Sequence, residues 1–367
     1  MFPKNEKMRK EIYSVITGSG TYLPANIVKN EVFLNSEFFE PSGEKIAKHN
    51  EEIVEKFREI TEIEERRYIE DEYVTSDMGY FAALDALESS STDKESLDYI
   101  IVAHNFGDVY FGSSKVDILP TIASRIKFKL GIANPDTVAY DLPFGCPGWL
   151  QALIQANYYL KSGDAKKILV IGAETLSRVS DPYDRDSMIY ADGAGAVIVE
   201  AVESDSPVGI LAHKTRTDTL EHAWLLKMGE SYNPMITNGE LFVKMNGRRL
   251  YEYAITNVPH LIKETLEKAG IFLENIKKVL IHQANGKMDE VMLMKLFRLF
   301  GRKDIPEDIM PMTIQLLGNN SVATLPILFD RIMKGKMPDH KLLKGDHFVF
   351  ASVGAGMNVN AVVYKMQ

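Results

Sequence analysis

The sequence predicts an α/β protein made of two similar halves, and three observations lead to that reading. Two apolar runs, Leu97-Asp98-Tyr99-Ile100-Ile101-Val102-Ala103-His104 and Ile276-Lys277-Lys278-Val279-Leu280-Ile281-His282-Gln283, have the same shape: a buried strand that ends in polar loop residues. The elements that follow each run come in the same order. The chain of 367 residues, 45% hydrophobic and 25% charged, is long enough for a duplicated unit with a substantial core.

After the first run come a helix at 122–126, a strand, turn and helix around Cys146, and a buried strand at 167–172. After the second come a helix at 291–297, a strand and turn at 312–320, a helix at 323–333 and a strand at 348–352. Strands alternating with helices imply mainly parallel pairing, with short polar turns at the strand ends. Functional groups in such folds gather at strand C-terminal ends. Cys146, His282 and Asn319 all fall there. The acidic, proline-containing stretch Glu203-Ser204-Asp205-Ser206-Pro207 marks the boundary, giving halves of 1–204 and 205–367. Residues 35–52 are polar and irregular and read as a loop or short exposed helix.

Composition excludes several classes. No run approaches the roughly 18 apolar residues of a membrane span. The opening Met1-Phe2-Pro3-Lys4-Asn5-Glu6-Lys7 is followed by no apolar signal-peptide core. One cysteine permits no intrachain disulfide, so a reducing cytoplasm is the expected compartment. A net charge of -9 disfavours nonspecific nucleic-acid binding, and an acidic protein partner would need a local basic patch. The sequence contains no zinc-ligand spacing, phosphate-binding Gly-Lys loop or dinucleotide fingerprint, so neither a metal nor a nucleotide cofactor is expected.

Cys146 is the single cysteine, in the run Asp141-Leu142-Pro143-Phe144-Gly145-Cys146-Pro147-Gly148. Val138-Ala139-Tyr140 reads as a strand end, and the apolar stretch from Trp149 reads as a helix ending near Gly163. Pro147 would then occupy the first helical position, where its missing N–H costs nothing. A thiol at a helix N-terminus is expected to have a lowered pKa, and unpaired N–H groups there can cradle an oxyanion. His282-Gln283-Ala284-Asn285 ends a strand and opens a helix, which points His282 into a cleft above the sheet. Gly318-Asn319-Asn320-Ser321 is a turn whose Asn can tolerate a left-handed backbone.

Taken together, Gly145-Cys146-Pro147-Gly148, Ile281-His282-Gln283-Ala284-Asn285 and Gly318-Asn319-Asn320-Ser321-Val322-Ala323 resemble the β-ketoacyl-acyl-carrier-protein synthase III branch of the thiolase fold. So do Asp181-Pro182-Tyr183-Asp184-Arg185, Tyr190-Ala191-Asp192-Gly193-Ala194-Gly195-Ala196, Met245-Asn246-Gly247 and Gly354-Ala355-Gly356. The resemblance implies a duplicated five-layered αβαβα architecture with mainly parallel mixed sheets, and a cytoplasmic homodimer. It implies acyl transfer to Cys146 and decarboxylative condensation with malonyl-acyl carrier protein, in fatty-acid or related lipid biosynthesis. His282 and Asn319 would hold the extender thioester, and the N–H groups of Cys146 and Gly354 would form the oxyanion hole. Arg185 matches a nucleotide-contacting arginine and Lys287 a carrier-contacting one, with Lys295 two turns later on the same helix face. The substrates would be thioesters on coenzyme A or phosphopantetheine, with no resident cofactor or metal.

A degradative thiolase needs a second cysteine as base, which this chain lacks. Papain-like peptidases share a Cys/His/Asn set but not the duplicated strand order. Two departures from the family pattern concern the primer. Lys56 and Ile60 stand where an aromatic residue and an arginine would grip a nucleotide, and the closing loop reads Ala351-Ser352-Val353-Gly354-Ala355-Gly356 instead of a Phe before three glycines. Losing a stacking ring and a guanidinium fork is expected to weaken coenzyme A capture relative to a carrier protein. The polar insertion near Ser42-Gly43-Glu44 and the long 106–119 loop would reshape the acyl channel and dimer contacts. The alternative is a secondary-metabolite ketosynthase of the dialkylresorcinol or aryl-polyene type, which joins two acyl thioesters.

Overall fold

The computed structural model describes residues 10–367, so the reading of Met1 to Lys7 lies outside the described residues. Two mixed sheets form the frame. The first orders its strands Glu11–Tyr22, Asp192–Ser204, Lys167–Thr175, Tyr99–Ala103 and Val138–Leu142. The second orders Gly209–Thr217, Asn358–Lys365, His347–Gly354 and Ile276–Ile281. Parallel pairing is confined to the last three strands of the first sheet and the last two of the second. The remaining pairs are antiparallel. The parallel strands are those whose C-terminal ends lead into the Cys146 and His282 loops.

Five layers follow from the period-2 alternation of buried strand residues. Ile101, Ile168, Val170 and Val197 turn inward onto two central helices, Gly148–Ser162 and Thr324–Met333. Phe348, Phe350 and Val362 of the second sheet meet the same helices from the other side. The alternate residues Ile100, Val102, Leu169 and Ile171 pack outward on helices Thr75–Ser90 and Ile122–Leu130. Val279, Ile281, Val349 and Ala351 pack outward on Gly247–Ala269 and Gly286–Leu299. Strands buried on both faces explain the near-continuous apolar runs.

The strand expected at 312–320 is instead a single helical turn, Ile314–Leu317, followed by an isolated parallel bridge between Asn319 and Tyr190. A side-chain contact explains the change. The Gln283 Oε1 atom accepts from the N–H groups of Thr313 and Ile314 at 2.8 and 3.0 Å, which caps that turn and removes the segment from any ladder. Residues 35–52 run from the end of the 3-10 turn Asn30–Asn35 through an irregular stretch into the helix Asn50–Thr61, which is not an exposed helix, because its Ile53, Val54 and Phe57 face is buried. Among the described residues, no helix is long and apolar enough to cross a membrane.

Candidate active site

The strand Val138–Leu142 delivers a turn in which Gly145 takes φ 67°. A Cβ there would lie 2.7 Å from the backbone of Ala355, so both conformation and contact require glycine. Cys146 follows, then Pro147 as N-cap and Gly148 as the first helical residue, one position later than the sequence suggested. Gly354, at the end of the strand His347–Gly354, packs so closely that an added Cβ would stand 2.6 Å from the Cys146 nitrogen. The two backbones expected to form an oxyanion hole are thus in contact.

His282 leaves the strand Ile276–Ile281 and stays tied to the sheet by its N–H, which donates to the Ala351 carbonyl at 2.9 Å. Asn319 is held from both sides. Its N–H donates to the Ile189 carbonyl and its carbonyl accepts from Ala191 N–H, each at 2.9 Å. Its side-chain Oδ1 accepts from Ser321 N–H at 2.9 Å, so the amide hydrogens on Nδ2 remain for the cavity. Ser321 itself sits at φ 49°, a left-handed strain of the kind kept at working sites. Cys146, His282, Asn319, Ser321 and Gly354 line one predominantly apolar cavity of about 230 Å³.

The electrostatics differ from expectation at the thiol. Cys146 keeps some surface facing the cavity, yet protein surrounds its sulfur, and this burial pushes the thiol up to about 11. A hydrogen bond from Ser321 pulls it down and the Glu174 carboxylate pushes it further up. Desolvation therefore outweighs the helix start, and the expected depressed thiol pKa is not found. Alkylation of the unliganded protein by iodoacetamide should accordingly rise about tenfold per pH unit above pH 7 without levelling before pH 10. A plateau near neutral pH would contradict this.

Burial lowers His282 to about 4, so its ring is neutral at pH 7. Its tautomer follows from its partners. Thr324 Oγ1 donates to Asn320 Oδ1 at 2.9 Å, so it can only accept from His282 Nδ1 at 3.2 Å. Nδ1 carries the hydrogen and Nε2 offers a lone pair. The neutral ring does not present the Nε2 donor that the motif reading assumes; it donates there only when protonated.

Sequence reasoning missed Asn105, on the cavity wall, and Glu174 behind it. Asn105 donates from Nδ2 to Glu174 Oε2 at 2.5 Å and to Ser321 Oγ at 3.3 Å. Glu174 is fully enclosed, and burial raises it to about 7. A charged residue closing the apolar run at 167–175 was the available signal.

The predicted binding residues lie outside this cavity. Arg185 lines a second, outer cavity of about 600 Å³ that shares Lys227 and Met245 with the first. Its other walls include Asp184, Trp224, Tyr232, Lys244 and Arg248. Lys244 is buried there, 2.5 Å from Asp181 and 3.2 Å from Asp184. Lys56 instead pairs with Glu59 on the solvent side of its helix, and Ile60 is 44% exposed. Trp224 and Arg248 thus supply a ring and a guanidinium at the outer cavity that the Lys56 and Ile60 positions lack. The pair Arg248-Arg249, directly after Met245-Asn246-Gly247, was the overlooked cue. Lys287 is exposed and lies with Arg58, Glu62 and Gln315 around a separate shallow depression, while Lys295 on the same helix is half-buried. No cluster of three or more metal-ligating side chains occurs among the described residues.

A thiolase-type fold with a cysteine, histidine and asparagine around one cavity defines a condensing acyltransferase. Two family models match, 3-oxoacyl-[acyl-carrier-protein] synthase III over residues 140–219 and its C-terminal counterpart over 266–366. The β-ketoacyl-[acyl-carrier-protein] synthase III of Erythrobacter litoralis is 32% identical over 356 residues, covering 96% of this chain and 99% of that protein. The Xanthomonas campestris enzyme of the same name is 31% identical, covering 98% and 100%. The chain belongs to this synthase III family. The solved 3-oxoacyl-[acyl-carrier-protein] synthase III of Aquifex aeolicus superposes with a TM-score of 0.77 at 30% identity, covering 96% and 99% of the two chains. The priming β-ketosynthase of the R1128 polyketide pathway gives 0.78 at 25% identity, covering 99% of each.

Proposed function

We propose that Cys146 accepts an acyl group from a thioester and that His282 and Asn319 then serve a malonyl thioester on an acyl carrier protein. The carrying observation is the meeting of Cys146, His282, Asn319 and Gly354 around one apolar cavity. As the Cys146 sulfur attacks the thioester carbonyl, its proton passes to the His282 Nε2 lone pair, and the Cys146 and Gly354 N–H groups hold the oxyanion. Collapse breaks the bond to the departing sulfur, which takes the proton from His282. A malonyl thioester then loses CO2, and the enolate carbon attacks the acyl carbon on Cys146. The C–S bond to Cys146 breaks, the β-ketoacyl product leaves, and the Cys146 thiolate is reprotonated. The net reaction consumes one proton, which His282 takes up from solvent, offers first as a hydrogen bond to the enolate oxygen and finally delivers to the Cys146 sulfur.

Arg185 and Arg248, with Trp224 beside them, suit the phosphate-bearing arm of coenzyme A or phosphopantetheine in the outer cavity. Lys287 and Lys295 are the proposed contacts for an acidic carrier protein, in a chain otherwise of net charge -9. A cytoplasmic setting suits the single free thiol. Intact-mass measurement after incubation with one acyl group on coenzyme A and on carrier protein tests the reading and ranks the primers; no mass increment from any thioester would sink it. A second reading, a pathway-specific ketosynthase joining two acyl thioesters, draws support from the likeness to the R1128 priming enzyme.

A homodimer is proposed on the apolar face formed by the long loop and its neighbouring helix. Tyr110, Phe111, Ile118, Leu119 and Phe128 are exposed there, Leu119 and Phe128 at 85%. Among the described residues, the strand Val138–Leu142 ends the first sheet without an outer neighbour. Leu119→Asp should shift sedimentation from dimer toward monomer, and a wild-type protein that sediments as a monomer would refute the proposal.

A further inference from the structure

Tyr190 belongs to none of the roles described so far. Its isolated parallel bridge with Asn319 places the two residues side by side, and both line the catalytic cavity. The residue is 5% exposed, and its hydroxyl has no hydrogen-bond partner. Other buried polar atoms among the described residues also lack partners, but Tyr190 is the one residue among them that also lines this cavity. A buried hydroxyl left unpaired is costly, and such a group in a native site calls for an explanation. Asp186 and Asp184, on the acidic wall of the outer cavity, act on it together with Cys146 and Tyr232. With burial, they hold it protonated, far above the usual phenol range.

The donor inventory of the cavity makes this position useful. Asn319 supplies Nδ2, while His282, neutral at rest, offers a second donor through Nε2 only after it has taken up a proton. We propose that Tyr190 is a third catalytic hydrogen-bond donor, whose phenol O–H binds the extender's thioester oxygen as it becomes an enolate. The inference rests on the condensing reading above. In that step the bond between the carboxylate carbon and the α-carbon breaks and CO2 departs. The electron pair moves into the thioester carbonyl, and negative charge accumulates on the oxygen that Tyr190 and Asn319 flank. Tyr190 keeps its proton throughout, so it stabilises the charge without a change in protonation.

The test is Tyr190→Phe, which removes one oxygen atom and keeps the ring. Acylation of Cys146, followed by intact mass, should proceed at the wild-type rate. Release of CO2 from malonyl carrier protein should fall about 10²- to 10³-fold, the cost of losing one such donor. The melting temperature should stay level or rise, because the lost hydroxyl has no partner to abandon. Wild-type decarboxylation in this variant overturns the proposal. A lowered melting temperature with acylation and decarboxylation falling together also overturns it, since that pattern marks a structural tyrosine. Failure of the wild-type protein to acylate at all would strike the condensing reading instead, which keeps the two distinguishable.

Discussion

Cys146→Ala should abolish the acyl mass increment and reduce condensation on the order of 10⁴-fold or more, because the reaction loses its covalent intermediate. The size of the effect follows from the single cysteine in the chain: no other thiol can take its place. Decarboxylation of a malonyl thioester should survive in part, because its donors lie on other elements. Intact mass measures the first quantity and release of labelled CO2 the second. Acyl trapping at the wild-type level by the variant would remove Cys146 from the mechanism.

His282→Ala and Asn319→Asp should do the reverse, still forming acyl-Cys146 while decarboxylation and condensation fall by about 10²- to 10³-fold, or ~2.7–4 kcal/mol. Asp is the sharper replacement at 319. Its carboxylate still accepts the Ser321 N–H that Asn319 Oδ1 accepts at 2.9 Å, so the turn keeps its bond while the Nδ2 donor is lost. His282→Ala leaves Thr324 bonded to Asn320 and removes only the ring. Because His282 is proposed to accept the Cys146 proton during attack, its variant should also acylate about 10²-fold more slowly, while the Asn319 variant should not. Equal wild-type condensation in both variants would refute the division of labour.

The duplicated strand and helix order was legible because strands buried on both faces leave continuous apolar runs. The cysteine, histidine and asparagine motifs were legible because each sits at a strand or turn end with distinctive neighbours. The stretch 312–320 was misread because its apolar composition suits a strand. What decides it is a contact from Gln283, thirty residues away, and sequence period carries no trace of that bond. The thiol's acidity was misjudged for a related reason. Helix position is a local property, whereas the burial that governs Cys146 comes from loops in both halves of the chain. Tyr190 and Glu174 lay in apolar or glycine-rich strings, where one polar atom reads as packing until its neighbours in space are known.

The contact between Gly145 and Ala355, together with Asn358 Nδ2 donating to the Phe144 carbonyl at 3.4 Å and to the Ala355 carbonyl at 2.9 Å, bears on the protein's synthesis. The turn that carries the cysteine is braced by Asn358, 214 residues further along the chain than its partner Phe144. A nascent chain therefore carries Cys146 through the whole of that stretch before the loop that packs against it is made. A product terminated before Gly354 would hold the thiol without the backbone proposed to complete its oxyanion hole.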